Sequence, residues 1–451
     1  MEEKKFDPYQ FIGFILIAII LTWMLFRNEK SNIQDPNQAE SAKTTDNDSP
    51  INTAEYQKQI NNNESEVIYG IFSKWLDVKP IEERIIENKN LKIKISSKGA
   101  NLTLVNLKEF SNHLDKPLNL ISESNHLINT TIKSRLGLLI DTKDIYFNNV
   151  KNEKNNQSQS IIFRANISDY QFLEFVYTLP DDGYKIDFKI RSEGLENILA
   201  AEDIFFNWET DLFRNSKSID YESRYTQLTY AYDEDKVDNL SLSGEDMETE
   251  NKVRWISYRQ HFFSSILIPE VLMGEVSFKS KDLTVDESLN NKFTKKLTSS
   301  FVLTKKKGNI ASNMSFYFGP TDYQILKSYG SSLETSVPLG WGIFGWINRF
   351  IFLPLFGWLA TFFPYGIAII VLTIIVRLTM SPVVYKSYVS QIKMKVLKPE
   401  IDEITKKYKK DAVKKQQETM SLYGKAGVNP MSGCIPALIQ LPIFYALFSF
   451  F

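Results

Sequence analysis

Three long apolar stretches stand out from a chain whose other residues mix polar and apolar positions. Residues 8–26 carry no charge, and residues 350–385 carry only Arg377. Residues 428–451 are again uncharged to the last residue. A helix needs about 20 apolar residues to cross a hydrocarbon core of about 30 Å. The pattern therefore predicts a multi-domain membrane protein with an α-helical transmembrane core.

The first apolar stretch leaves two alternatives to an uncleaved anchor, namely a buried core helix and a cleavable signal peptide. No polar face interrupts residues 8–26, which argues against a core helix of a soluble domain. The stretch closes on Trp23, Met24, Leu25 and Phe26, where a signal peptide would have small residues before its cleavage site. We therefore predict that residues 1–27 are an N-terminal transmembrane anchor.

The next segment is strongly polar. Residues 28–66 are rich in Asn, Ser, Asp, Glu, Lys and Gln, and Tyr56 is their single aromatic residue. A segment of this composition buries too little apolar surface to offset the entropy of ordering its backbone. We predict a flexible polar linker over residues 28–87.

Short runs with an apolar residue at every second position follow the linker. Examples are LKIKISS (91–97), YKIDFKI (184–190) and MSFYFGP (314–320), separated by clusters of Asn, Asp and Gly. Alternation with a period of two is typical of strands that are half-buried in a sheet. No helical pattern lies between them, so residues 88–325 are predicted to form an all-β sandwich domain.

The character of the chain changes again before the second apolar stretch. Residues 326–364 contain several Trp and Gly residues and few charges, as expected for an amphipathic helix at a membrane interface. Pro354 and Pro364 argue against one straight transmembrane helix from residue 350. The second transmembrane span is therefore predicted at residues 365–385.

A basic segment follows this span. Residues 386–425 contain eleven Lys and five acidic residues, a net charge of +6. Lys409, Lys410 and Asp411 fit a turn between two antiparallel helices. Short basic loops remain on the cytoplasmic side. This predicts a cytoplasmic helical hairpin, an external β domain and a cytoplasmic N-terminus.

The third apolar stretch is predicted as a further span over residues 428–451. It contains Pro436, Gln440 and Pro442, which membrane helices tolerate where protein or water satisfies the freed backbone groups. The chain stops inside this stretch, and we expect the natural protein to continue beyond it.

Composition alone conceals this organisation. The chain has 53 Lys+Arg and 54 Asp+Glu, a net charge of -1, and a mean hydropathy of -0.23. These averages exclude a disordered chain, a coiled coil and a chain made mostly of membrane helices. The net charge is a cancellation between the +6 segment and a -7 remainder. It argues against specific binding of nucleic acid.

Candidate catalytic residues are few. The chain has three His and one Cys, so we expect no disulfide framework, metal site or cofactor. It has no Gly-rich phosphate loop and no serine nucleophile motif. His261 lies in an apolar run that predicts a buried strand, and Cys434 lies in the third apolar stretch. We therefore predict that the protein is not an enzyme.

Arg377 is the residue with the clearest functional signal. A cation inside an apolar span costs about 2.5–3.5 kcal/mol, and such residues usually face protein or a water-filled cavity. Uncharged residues continue to Tyr385, so Arg377 lies about 12 Å from the cytoplasmic end of the predicted span. We interpret Arg377 as a functional residue exposed to water within the membrane.

The C-terminal residues resemble a known family. TIIVRLTMSPVVYKSYVSQIKMKVLKPEI (373–401) and LYGKAGVNPMSGCIPALIQLPIF (422–444) are similar to the YidC-type membrane protein insertases. FYFGPTDYQILKSYG (316–330) and the preceding β region resemble the large periplasmic domain of Gram-negative members. The resemblance covers residues 88–451. The N-terminal anchor and linker match Bacteroidetes-like members in arrangement.

The resemblance implies roles for individual residues. Arg377, Thr373 and Gln440 match positions that line a hydrophilic groove open to the cytoplasm and the lipid. Leu441 and Phe444 match the face of the third span along which a client helix slides, and Leu441 replaces the Met that is common there. The cytoplasmic hairpin, which implicates Lys406, Lys407, Lys409 and Lys410, is thought to receive clients.

The resemblance also implies partners and location. The expected function is the insertion and folding of integral membrane proteins in the bacterial inner membrane, without covalent chemistry. The expected partners are nascent membrane proteins, the lipid bilayer, the Sec secretion channel and the ribosome. The periplasmic domain of the family is a super-sandwich of the kind found in sugar enzymes, and three further spans follow the third.

Two alternatives remain open from the residues themselves. A transporter or channel could use Arg377 to attract anions, which predicts broken spans in matching halves of the chain. A membrane-anchored carbohydrate-active enzyme would need a carboxylate or His cluster in a pocket of the β domain. The family motifs favour the insertase over both.

Overall fold

The computed structural model describes residues 70–450 apart from positions 123, 156, 235, 287, 290, 291, 341, 410 and 428–434. The predicted anchor and the predicted linker as far as residue 69 lie outside the described residues. In the described part, a large antiparallel β domain precedes a series of helices.

The β domain contains three antiparallel sheets. The four-stranded sheet has the order β1 (Glu83–Glu87), β2 (Leu91–Ser96), β3 (Leu102–Ser111) and β4 (Pro117–Ile121). The six-stranded sheet has the order β14 (Glu245–Glu250), β17 (Val276–Asp282), β18 (Phe293–Val302), β11 (Phe205–Phe213), β5 (His126–Lys133) and β6 (Leu139–Asp141).

The ten-stranded sheet is the largest. It runs in the order β13 (Lys236–Asn239), β12 (Gln227–Tyr232), β15 (Val253–Arg259), β16 (Phe263–Pro269), β20 (Asn309–Pro320), β10 (Lys185–Glu193), β9 (Gln171–Pro180), β8 (Ser158–Ser168) and β7 (Asn148–Lys154), with β19 (Lys305–Lys306) paired to β20. A short helix, α1 (Ser73–Leu76), precedes the sheets, and α2 (Ile219–Tyr225) connects β11 to β12.

Sequence alternation explains which side of each strand is buried. In β5 and in most of β10, buried residues alternate with more exposed ones, because successive side chains point to opposite faces of a sheet. Central strands such as β9 and β16 carry longer buried runs. The prediction of an all-β sandwich is confirmed.

The core lies between the sheets and is rich in aromatic residues. Trp208 of the six-stranded sheet stacks on Tyr258 of the ten-stranded sheet, with ring centroids 3.7 Å apart. The Tyr258 hydroxyl donates to the Trp208 carbonyl at 2.8 Å. Tyr177 in β9 donates to the carbonyl of Ala100, beside the four-stranded sheet, at 2.7 Å. Each buried aromatic side chain contributes about 1.5–3 kcal/mol of transfer free energy, so this layer holds the sheets together.

The linker prediction is wrong for residues 70–87. A 3-10 turn, Gly70–Phe72, leads into α1, and Phe72 and Trp75 are buried in the core of the β domain. The Trp75 carbonyl accepts from the amide of Tyr146 at 2.8 Å, and β1 pairs with β2. The polar composition of the preceding residues concealed two aromatic side chains that anchor this segment.

The chain between the β domain and the second span is not one helix, contrary to prediction. It comprises α3 (Tyr323–Ser328), a 3-10 turn (Leu333–Ser336), α4 (Gly342–Ile347), a π-helical turn (Asn348–Phe352) and α5 (Leu353–Ala360). Leu326 and Leu333 are buried in the β core, so α3 and the 3-10 turn belong to the β domain. Only the part from Gly342 onwards is helical and separate from that core.

Four helices complete the described chain. They are α6 (Tyr365–Val396), α7 (Lys398–Lys407), α8 (Ala412–Lys425) and α9 (Ile435–Phe450). The helix of the predicted span 365–385 continues for eleven residues into the charged segment, where no Gly or Pro occurs between Tyr385 and Pro399. Two helical stretches of the described chain, Gly342–Ala360 and Tyr365–Val396, are long and apolar enough to cross a membrane.

Candidate functional site

Helix α6 carries the two candidate groove residues of the second span. Thr373 and Arg377 are four residues apart, which places them one above the other on the same helix face. The Thr373 hydroxyl donates to the Ile369 carbonyl at 2.9 Å, while Arg377 is exposed. Within the described part of the chain, the Arg377 guanidinium has no hydrogen bond or ion pair. Its charge is thus available to another molecule.

Helix α9 separates an inward face from an outward face. Ile443, Leu447 and Phe450 pack against the preceding helices, and Ala446 is fully buried among them. Leu441 and Phe444 occupy the other face, whereas Gln440, three residues before Ile443 and seven before Leu447, lies at the edge of the packed face. Gln440 is exposed, and Leu441 and Phe444 are 50% and 63% exposed. An exposed apolar face with one amide is suited to contact with lipid or with another apolar helix.

The two helices meet on their packed faces. Val376 of α6, the neighbour of Arg377, contacts the same apolar clusters as Leu447 and Phe450 of α9. No hydrogen bond joins Arg377 or Thr373 to Gln440 among the described residues. The structure therefore brings the helices together and leaves the polar side chains of the predicted site unlinked.

Each helix also contains an internal proline near its site residues. Pro382 in α6 and Pro442 in α9 lack the backbone N–H that would bond to the carbonyl four residues earlier. The carbonyls of Leu378 and Leu438 are thereby deprived of their usual helical donor. Leu378 directly follows Arg377, so a carbonyl group without its usual helical donor lies next to Arg377 in the chain.

The helical segment before α6 supports α9. Phe344 packs on Tyr445 with ring centroids 4.6 Å apart, and Phe356 packs on Phe450 at 5.6 Å. Asn348, in the π-helical turn, is completely buried. Its amide donates to the Leu339 carbonyl at 2.8 Å and to the Ser449 hydroxyl at 2.9 Å. Sequence reasoning missed Asn348, although an Asn in an otherwise apolar run was a visible signal.

The basic hairpin has the predicted turn. Lys406 and Lys407 end α7, Lys409 lies in the turn, and all three side chains are exposed; Lys410 lies outside the described residues. Asp411 caps α8 by accepting a hydrogen bond from the Lys414 amide at 3.0 Å. Helix α7 thus ends at Lys407, with Tyr408 as its C-cap, and Asp411 starts α8.

The three His residues are separate in the fold. His113 contacts the Asn215 carbonyl at 3.1 Å, and His126 is buried against the Thr210 hydroxyl at 3.0 Å. His261 lies between β15 and β16, so the prediction of a strand at this residue is wrong; its ring stacks on Tyr225. Burial lowers the pKa of His261, against an opposing effect of Glu222.

Metal ligation has little support in the described part of the chain. A search of those residues finds no group of three or more His, Cys, Asp or Glu side chains placed to hold a metal ion. Cys434 lies outside the described residues.

Two family models match the chain. The one described as the YidC periplasmic domain matches residues 84–354, and the one described as the 60Kd inner membrane protein matches residues 358–451. Together they cover the β domain and the helices that carry the candidate site.

Two named relatives and one solved structure are similar to this chain. A membrane protein insertase YidC of Parabacteroides distasonis is 34% identical, over 99% of this chain and 74% of the relative. The Bacteroides fragilis protein of the same name is 33% identical, over 98% and 73%. A crystal structure of an active YidC insertase is 19% identical, with a TM-score of 0.27, over 85% of this chain and 76% of that chain.

Proposed function

The chain belongs to the family of YidC-type membrane protein insertases, and we propose that Arg377, Thr373 and Gln440 line a hydrophilic groove that receives its clients. Its function is the insertion of membrane proteins. The proposal concerns how these residues perform it. In this mechanism the polar side chains hold water in the groove within the membrane. No covalent step or cofactor takes part.

The observation that carries the proposal is the exposed Arg377 on an apolar helix. No described residue neutralises its charge, although a cation in hydrocarbon costs about 2.5–3.5 kcal/mol. Such a cost is offset when water or an anionic client reaches the side chain. Two unit charges 4 Å apart attract by about 4 kcal/mol at an effective dielectric constant near 20. Arg377 would therefore hold an acidic outer segment of a client transiently within the membrane.

The exposed face of α9 would take the apolar part of the client. Leu441 and Phe444 are three residues apart and form one continuous apolar strip on the helix surface. A client helix that leaves the groove along this strip passes from a hydrated site into lipid. Burial of apolar surface releases about 25 cal/mol per Å², so partitioning can drive insertion without a nucleotide.

The proposed orientation follows the charge distribution. The hairpin with Lys406, Lys407, Lys409 and Lys410 lies in the cytoplasm, where it receives nascent clients, and the β domain lies in the periplasm. The protein is then a multi-pass protein of the inner membrane. Residues 1–27, 365–385 and 428–451 are its membrane-spanning parts, and 342–360 lies at the periplasmic interface. The Sec channel and the ribosome are the proposed assembly partners.

Replacement of Arg377 tests the mechanism. Full-length Arg377→Ala, reconstituted in vesicles, should insert a single-span client with a short acidic outer segment about tenfold more slowly, because about 1.4 kcal/mol of charge attraction is lost. Arg377→Lys should retain most of the rate, since the charge remains. The measurement is protease protection of the client over time.

Lys327→Ala provides the matched control, since it removes an exposed cation from α3 of the β domain, outside the proposed groove and the basic hairpin. Its rate should equal that of the wild type. If Arg377→Ala also inserted the client at the wild-type rate, the charge role of Arg377 would be wrong. An anion flux that disappears in Arg377→Ala vesicles would instead favour the transporter alternative.

A further inference from the structure

A cavity of about 380 Å³ lies where the loop after the 3-10 turn meets the helical segment that starts at Gly342. Its walls include Thr335, Val337, Trp346, Arg349 and Phe350. The volume falls within the range of about 300–1,000 Å³ that is usual for small-ligand sites. None of the roles proposed above uses this cavity.

The cavity is built by close backbone contact. A Cβ atom on Gly345 would lie 2.3 Å from the Gly340 carbonyl oxygen, so only glycine allows the loop to rest directly on the helix. The buried amide of Asn348 holds the same loop by donating to the Leu339 carbonyl at 2.8 Å. The backbone of the loop and of the helix is therefore positioned before any ligand arrives, which reduces the entropy lost on binding.

The charge of the cavity comes from Arg349. Arg349 is the one charged residue between Glu334 and Arg377, and its side chain is exposed. It forms no ion pair within the described part of the chain. A planar guanidinium binds two oxygens of a phosphate group at once, which makes it the preferred side chain for phosphate recognition.

The surroundings of Arg349 are apolar and aromatic. Trp346 is 56% exposed and Phe350 is 60% exposed, and both line the cavity. Indole rings prefer the level of the lipid headgroups, and exposed apolar rings accommodate acyl chains. A cation beside such a ring pair matches a molecule that has a phosphate at one end and hydrocarbon at the other.

We propose that this cavity binds the phosphate of a phospholipid headgroup, with Arg349 as its partner and Trp346 and Phe350 against the acyl chains. The site rests on the proposed placement of residues 342–360 at the periplasmic interface. The bound lipid fixes the depth of this segment in the membrane. The hydrogen bond from Asn348 to Ser449 then couples the depth of this segment to the depth of α9. Helix α9 carries the exposed strip of Leu441 and Phe444.

Native mass spectrometry of the full-length protein in detergent tests the site. Phosphatidylglycerol and diacylglycerol with identical acyl chains are added at equal concentration. The wild type should retain phosphatidylglycerol about tenfold more strongly, and Arg349→Gln should lose this preference. Arg349→Lys should keep part of it. Lys327→Gln is the matched control, since it neutralises an exposed cation of α3 outside the cavity and outside the proposed groove and should leave the preference intact.

Equal retention of both lipids by the wild type would overturn the proposal, and this comparison needs no variant to fold. A preference that survives in Arg349→Gln, or falls equally in Lys327→Gln, would also overturn it. Client insertion is measured after the same preparations are reconstituted into vesicles. Normal insertion by Arg377→Ala would refute the groove mechanism and leave the lipid site standing, whereas equal lipid retention would refute only the lipid site.

Discussion

At the residue scale, Glu174 shows how the β domain uses a buried charge. Its carboxylate is completely buried in β9 between two Arg residues of the neighbouring strands. Arg164 Nε donates to one oxygen at 2.7 Å, and Arg191 Nε donates to the other at 2.6 Å. The antiparallel register places both Arg residues directly opposite Glu174. Both oxygens are satisfied, so the ionised acid is tolerated in the core.

Removal of this carboxylate should be costly. Glu174→Ala removes the buried carboxylate from two Arg side chains that are 28% and 55% exposed and can turn towards solvent, so the free energy of unfolding is expected to fall by about 1–3 kcal/mol. Glu153→Ala removes an acid from an exposed pair with Lys151 and should cost no more than about 1 kcal/mol. Urea denaturation followed by far-ultraviolet circular dichroism gives both values. Equal losses in the two variants would contradict the argument.

His126 predicts acid sensitivity. Burial lowers the pKa of His126 to about 3, and its Nε2 atom has no hydrogen-bond partner among the described residues. Above pH 6.5 the ring is neutral in both the folded and unfolded states. Below pH 6.5 only the unfolded chain takes up a proton, so stability falls as pH decreases towards 3, by up to about 1.4 kcal/mol per pH unit.

The test is the melting temperature between pH 7 and pH 4. Wild type should lose stability more steeply than His126→Gln, whose side chain does not titrate. The two pH profiles should run parallel above pH 6.5. Parallel profiles at lower pH as well would show that His126 is not the group responsible.

At the level of helices and strands, the π-helical turn Asn348–Phe352 links two other segments of the chain. Its buried Asn348 connects two segments that are distant in the sequence, the loop at Leu339 and the end of α9 at Ser449. Single π-helical turns are frequent at functional positions, because they reorient one side chain within a helix. Here the reoriented side chain joins the interfacial segment to the third predicted span.

Loss of this connection should loosen the helical region. Asn348→Ala removes two hydrogen bonds and is expected to destabilise the full-length protein by about 1–3 kcal/mol. Ser449→Ala removes one of the two and should cost less. Thermal unfolding in detergent, followed by light scattering, ranks the variants. A larger effect of Ser449→Ala than of Asn348→Ala would contradict the assignment.

Most strands could be predicted from local pattern, and some boundaries could not. LKIKISS, YKIDFKI and MSFYFGP lie in β2, β10 and β20, because alternation with a period of two is a local property. The segment around Trp75 was assigned to the linker, since only its distant partners reveal its burial. The predicted span ends at Tyr385 whereas α6 continues to Val396, because charge marks a membrane boundary and not the end of a helix.

At the scale of the whole molecule, charge segregation predicts the topology. The +6 hairpin should lie in the cytoplasm and the β domain in the periplasm. In a Cys434→Ser background, Leu136→Cys places a thiol on the β domain at a position that is 97% exposed. Lys409→Cys places one in the hairpin turn. A membrane-impermeant maleimide, applied to cells with a permeabilised outer membrane, should label the first variant.

Labelling of the Lys409→Cys variant should require lysis of the inner membrane. The reverse pattern would invert the proposed topology. Labelling of both variants in unlysed cells would show that the hairpin and the β domain lie on the same side.

The candidate site was predicted only in part. Arg377, Thr373, Gln440, Leu441 and Phe444 came from charge in an apolar run together with family motifs, and their roles remain predictions. Nothing in the local pattern indicated the cavity at Arg349. That cavity depends on the fit of Gly345 against Gly340 and on the position of a loop, both of which are tertiary properties.

The sequence by itself determined the apolar spans, the alternating strands, the basic hairpin and the isolated Arg377. These features depend on the period and composition of neighbouring residues, which local physics already constrains. Only the tertiary structure decided that Trp75 belongs to the β core and that Glu174 lies between two Arg residues. It alone showed that Asn348 bonds to Ser449, 101 residues away. Such contacts arise because burial and hydrogen bonding are satisfied by partners that are distant along the chain.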